Sequence, residues 1–259
     1  MKNLMKTFLL LVVLFAVSCT NTQKGKDQTK DQAPLSLYAD IEKNTAVNTL
    51  SEDESKDGWQ LLFNGKDFTG WHGYNIDSIP ATWSIEDNAL TMTKMEAAEG
   101  HDILTDKSYK NFAFTAEFKL TPAANSGIIY QIKEDTAYQF PYETGPEFQV
   151  IDHQNWPDSL DQTQICGANY AMYPPKTKPF KPAGEWNRMM LIVNGNHVTH
   201  ILNGEEVVHY EKYSEEWNKL RNSGKWANYP DYGKFDEGPI SLQDHGTKVW
   251  YRNVKIKEL

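Results

Sequence analysis

The chain has 259 residues, with 26 Lys and Arg against 35 Asp and Glu, a formal net charge of −9. That length suffices for one large domain with a substantial core. The first thirty residues hold five Lys and one Asp, so the acidic excess of the rest exceeds the whole-chain figure. An acidic domain with no basic stripe argues against a nucleic-acid partner.

Lys2 and Lys6, followed by the apolar run Thr7 to Val17, have the layout of a secretory signal over residues 1–18. The run is too short to span a bilayer, which takes roughly 20 residues in a helix. "FAVSC", ending at Cys19, is similar to a bacterial lipoprotein box. The resemblance implies a lipid on Cys19 and an anchor in the bacterial cell envelope, at the outer membrane facing the periplasm. A plain secretory signal cut near Ser18 is the alternative. Once Cys19 is lipidated only Cys166 remains, so no intramolecular disulfide forms. Residues 19–57 are rich in Lys, Gln, Thr, Asp, Glu and Asn, a composition that predicts a flexible tether.

From residue 58 onward, short alternating segments and turn signals dominate. Phe112, Phe114, Ala116, Phe118 and Leu120 share one face of a predicted strand, and Ala113, Thr115, Glu117 and Lys119 share the other, the pattern of a sheet with one buried face. Asn194-Gly195 and Asn203-Gly204 each separate two such strands and predict type I′ hairpins. Only "SEEWNKLR" at 214–221 reads as a helix, with Ser214 as N-cap and two acids in the first turn. Many short strands with one short helix predict an all-β fold, a two-sheet antiparallel jelly-roll sandwich over residues 58–259.

Five stretches occur in order: "GWQLLFNGKDFTGWH" from Gly58, "NSGIIYQ" from Asn125, "GPEFQVIDH" from Gly145, "PAGEWNRMMLIVNGNHV" from Pro182 and "GPISLQDHGTKVWYRNVKI" from Gly238. Together they resemble the domain of unknown function 1080 family, described as 3-keto-disaccharide hydrolase, which implies a concanavalin A-like fold and cleavage of oxidised sugars. Two positions depart from the family pattern: Gln131 stands where Arg is common, and Asn169 where an aliphatic residue is usual.

The residues themselves point to a polar groove. Phe148 and Val150 alternate with Glu147 and Gln149, while Ile240 and Leu242 alternate with Ser241, Gln243 and His245. Each segment thus turns an apolar face inward and a hydrogen-bonding face outward. Such groups, in a chain that is 12% aromatic, suit recognition of sugar hydroxyls and sugar C–H faces. Glu147 is followed two residues on by Gln149 rather than by a second acid, so the ordinary two-carboxylate glycosidase arrangement is not expected. A 3-keto sugar needs less, because its carbonyl acidifies the hydrogen on C2 and one base starts elimination of the C1 substituent.

Glu147 and His245 are therefore the candidate catalytic pair, either one as the base at C2 and the other as acid or as ligand to a bound divalent ion, with Asn125, Gln131, Gln149, Asp152, His153 and Gln243 as candidate sugar-binding residues. The ligand set for a divalent metal ion stays open, and no organic cofactor is expected. The expected partners are an oxidised oligosaccharide or glycoside and, through the N-terminal lipid, a membrane. A non-catalytic carbohydrate-binding domain of a polysaccharide-utilisation system is the alternative function.

Overall fold

The computed structural model describes residues 28–93 and 101–259. The expected signal peptide and Cys19 lie outside the described residues. In chain order the strands are β1 (Gln60–Leu61), β2 (Trp71–Gly73), β3 (Trp83–Glu86), β4 (Ala89–Met92), β5 (Ile103–Thr105), β6 (Phe112–Leu120) and β7 (Asn125–Ile129). They continue as β8 (Glu147–Ile151), β9 (Asn187–Asn194), β10 (His197–Leu202), β11 (Glu205–Glu211), β12 (Ser241–Leu242) and β13 (Val249–Glu258). One antiparallel sheet runs β11-β10-β9-β6-β13-β4-β3, with β1 also paired to β13, and the second runs β2-β5-β12-β7-β8. The architecture is the expected two-sheet antiparallel sandwich.

The inward residues of both sheets make one core. Phe112, Phe114, Phe118, Val249 and Tyr251 of the larger sheet meet Ile128, Phe148, Val150, Ile240 and Leu242 of the smaller one. Trp71 packs into this core, and its indole donates to the Leu62 carbonyl at 2.7 Å.

Among the described residues three α-helices accompany the sheets: α1 (Gln28–Glu42), α2 (Glu52–Lys56) and α3 (Glu215–Arg221). The expected helix is α3, whose first turn is closed by Trp217 N donating to Ser214 Oγ at 3.2 Å. The other two correct the expected tether. Tyr38 and Ile41 of α1 are buried with Trp59 against Ala113, Met190, Ile192 and Ile201, on the outer face of the larger sheet. In α2, Glu54 pairs with Lys255 of β13 at 2.6 Å, both almost fully buried. Leu35 to Asp57 therefore belongs to the folded unit, and β6 is covered on both faces. A few apolar residues dispersed among polar ones suffice here because each meets a waiting apolar patch.

The hairpins differ in detail from expectation. Asn203 (φ 47) and Gly204 (φ 87) are both left-handed, as a type I′ turn requires. Between β9 and β10, Asn194 pairs with His197, so the loop is Gly195-Asn196, and only Gly195 (φ 59) is left-handed. That is the type II′ pattern, which needs glycine at its first position.

Candidate active site

The outward face of the smaller sheet carries the site. Gly127 pairs with Gln149, Ile129 with Glu147, and Ser241 with Ile129, so these side chains share one face while Ile128, Phe148 and Leu242 point into the core. β12 ends at Leu242, but Gln243 N still donates to the Gly127 carbonyl at 2.9 Å. The alternation read from the sequence thus continues one residue past the strand. Asp102 fixes the course beyond it, accepting Ser241 Oγ at 3.0 Å and Asp244 N at 2.9 Å.

Asn125, Glu147, Gln149, Gln243 and His245 come together around a cavity of about 170 Å³, whose other walls are Tyr142, Tyr170 and Lys225. A second cavity of about 300 Å³ shares Tyr142, Gln243 and His245 with it and extends to Asp102, Phe140 and Asp244. Gln243 Oε1 and Asn125 Oδ1 are buried without a hydrogen-bond partner among the described residues. Buried acceptors of this kind call for a ligand or water to satisfy them.

Glu147 is 4% exposed and lies across Gly127. A Cβ at 127 would stand 2.8 Å from Glu147 Cδ and collide with its Oε1, so glycine is what admits the carboxyl there. Among the described residues nothing hydrogen-bonds that carboxyl. Burial pushes it up to about 8, with Lys225 pulling it down and Asp102 pushing it further up. The Lys225 ammonium is held over the rings of Tyr142 (4.5 Å), Tyr170 (4.6 Å) and Trp226 (4.7 Å). Desolvation lowers its pKa while Glu147 opposes the drop. Burial also raises Asp102, to about 7, against the hydrogen bonds from Asp244 N and Ser241.

Three expected sugar-binding residues are elsewhere. Gln131 is left-handed (φ 54), so the chain has left the strand and the alternation that would aim its side chain outward has ended. It is 1% exposed, donates to the Asp236 carbonyl at 2.7 Å and accepts Lys212 Nζ at 2.8 Å, a structural junction. Asp152 is fully buried and organises a turn, accepting Ala123 N at 2.9 Å and Asn155 Nδ2 at 2.8 Å. His153 packs its ring on Phe180 at 5.0 Å, away from both cavities, and burial lowers its pKa.

Sequence reasoning missed Lys225, Tyr142 and Asp102. Asp102 stands two residues before Leu104 on the same strand face and carried a faint period-two signal. Lys225 had none, because it sits on a 3-10 turn (Gly224–Asn228) positioned by Trp226 stacked on Tyr232 at 3.8 Å. A larger hollow of about 470 Å³ lies on the far sheet between Tyr38, Arg188 and Arg252. Its Glu117 already takes both Arg188 and Arg252, so it lacks the unpaired groups of the groove. Among the described residues no cluster of three or more His, Cys, Asp or Glu is arranged to hold a metal ion.

Residues 58–257 match the family model of the 3-keto-alpha-glucoside-1,2-lyase-like domain. The chain belongs to this family. A "3-keto-disaccharide hydrolase" of Bacteroides thetaiotaomicron is 30% identical over 272 residues, covering 94% of each chain. A solved structure from Parabacteroides distasonis, a "putative glycosyl hydrolase", is 42% identical, covers 83% of this chain and 100% of that one, and superposes with a TM-score of 0.77. A second structure of that description from the same organism is 28% identical over 78% of this chain and 99% of its own, with a TM-score of 0.59. All five clustered groove residues fall inside the matched family span.

Proposed function

We propose that the protein is a glycoside-acting enzyme that cleaves 3-keto-glucosides at the anomeric bond, with Glu147 as the base at C2. The observation that carries this reading is the solitary buried carboxyl over Gly127, which takes no hydrogen bond among the described residues and is pushed up to about 8. A base with its pKa near the operating pH combines availability with driving force. Glu147 removes the C2 proton, and the electron pair passes to the C3 carbonyl as an enolate. Lys225 and the amide N–H groups of Asn125 and Gln243 hold that oxygen. Collapse of the enolate expels the C1 substituent, with His245 donating the proton the leaving oxygen needs. Addition of water across the resulting C1–C2 double bond completes net hydrolysis, while release of the unsaturated sugar would complete a lyase reaction.

The test offers purified protein a glucoside with and without the 3-keto group. Turnover should require the keto group, and kcat/KM should rise as pH climbs towards about 8 and Glu147 loses its proton. Glu147→Gln and His245→Ala should each slow turnover by about 100- to 10,000-fold. Saturable binding of the unmodified glucoside with no turnover of either compound would instead assign a carbohydrate-binding module.

We further propose that the protein is exported and held in the cell envelope by a lipid on Cys19. Cys19→Ala should move it from the membrane fraction to the soluble one. Continued sedimentation with membranes after a salt wash would rule the lipid out.

A further inference from the structure

The two adjoining cavities differ in what they offer. The smaller one holds Glu147 and Lys225, the chemical groups of the proposed reaction. The larger holds none of those two but presents Phe140 and Asp244. Phe140 is 41% exposed although it is a large apolar side chain, and it lies parallel to Tyr142 at 5.1 Å with the rings 11° apart. Such an exposed flat surface beside a cavity fits the apolar face of a sugar ring. Asp244 uses Oδ1 to accept Gly246 N at 2.9 Å, while its Oδ2 is buried with no partner among the described residues. That orphaned oxygen needs a donor, and a sugar hydroxyl is one.

The shared wall is the strongest clue. Tyr142, Gln243 and His245 line both cavities, so they stand where one chamber meets the other. In a disaccharide the oxygen that must be protonated is the one that joins the two rings. A proton donor at the seam is where a substrate spanning both chambers places that oxygen.

We infer that the Phe140–Asp244 cavity is the leaving-group subsite, built to take an uncharged, hydroxyl-bearing sugar ring stacked on Phe140 and hydrogen-bonded to Asp244, and to reject a carboxylated one. This rests on the proposed cleavage of 3-keto-glucosides. Neither Lys nor Arg lines the cavity, whereas Asp102 and Asp244 both do. A carboxylate there would face an unpaired carboxylate oxygen with no Lys or Arg to offset it.

The experiment compares three 3-keto-glucosides that share the oxidised ring and differ only in leaving group: methanol, glucose or glucuronic acid. The wild type should favour the glucosyl over the methyl compound by about tenfold or more in kcat/KM and should disfavour the glucuronyl compound relative to the glucosyl one. Phe140→Ala should bring the glucosyl-to-methyl ratio close to one. Asp244→Asn should lessen the discrimination against glucuronate. Melting curves of both variants, each altering a side chain at the cavity mouth, verify that they fold.

Wild-type turnover of the methyl compound with equal or better turnover of the glucuronyl one would overturn the subsite while leaving the proposed reaction standing. A ratio unmoved by Phe140→Ala would do the same. Turnover of none of the three would remove the proposed reaction and the subsite with it.

Discussion

A single hydrogen at position 127 decides whether Glu147 can stand where it does. The Glu147 carboxyl occupies the space that a Cβ at position 127 would fill. Gly127→Ala should therefore displace the carboxyl without touching the core, because the core-facing neighbours on this strand are Ser126 and Ile128. We expect a loss of turnover comparable with removing a positioned base, about 100-fold or more, alongside a folded protein with native far-UV circular dichroism. Full activity of Gly127→Ala would show that the carboxyl has another productive position. The same residue-scale view explains which site residues the sequence disclosed. Glu147, Gln149 and Gln243 were readable because period-two alternation fixed their direction. Gln131 and Asp152 misled because the backbone had turned away from the strand by the time it reached them. Lys225 was hidden because no periodicity governs a 3-10 turn whose position is set by stacked aromatics distant in sequence.

Among the elements, α2 shows how a polar segment becomes structural. Ser51 caps it in a reciprocal box with Glu54, whose carboxylate also accepts Asn44 Nδ2 at 2.6 Å and Lys255 Nζ at 2.6 Å. Burial raises the Glu54 pKa, but these hydrogen bonds outweigh it and hold the group below the usual carboxylate range. A group depressed in this way stabilises the fold at neutral pH, and that contribution is lost as pH falls through its folded value. Composition alone reads the segment as tether because the burial of both charges depends on a strand some two hundred residues away. Glu54→Ala leaves Lys255 buried without its partner, which typically costs about 3–5 kcal/mol. In a domain of this size that is roughly 6–20 °C of melting temperature, at about 2–4 °C per kcal/mol. Combining it with Lys255→Met should recover much of the loss, since an apolar pair can replace a buried ion pair. A Tm change of less than about a degree in Glu54→Ala would mean that α2 is undocked in solution.

At the scale of the whole molecule, the C-terminal strand ties the sandwich together. β13 runs between β6 and β4, and its Ile256 and Lys255 also pair with Gln60 and Leu61. The Asn253 side chain accepts from Asn48 N at 2.6 Å while its own N–H donates to Asn48 Oδ1 at 2.8 Å. The last strand therefore holds the N-terminal segment as well as the middle of the larger sheet. Its apolar alternation was readable, and so was the sandwich, because in-out patterning is a local property. Its central position was not, since strand order depends on pairings between residues far apart in sequence. Deleting the residues after Arg252 removes Val254 and Ile256 from the core, strips Glu54 of Lys255, and leaves backbone groups of β6 and β1 unpaired. Each unsatisfied buried backbone group costs about 1–3 kcal/mol, and a domain is stabilised by only about 5–15 kcal/mol in all. The truncated chain should then fail to give soluble folded protein, with loss of the cooperative melting transition in calorimetry. If the truncated protein melts at the wild-type temperature, β13 is an accessory strand and the two sheets close without it.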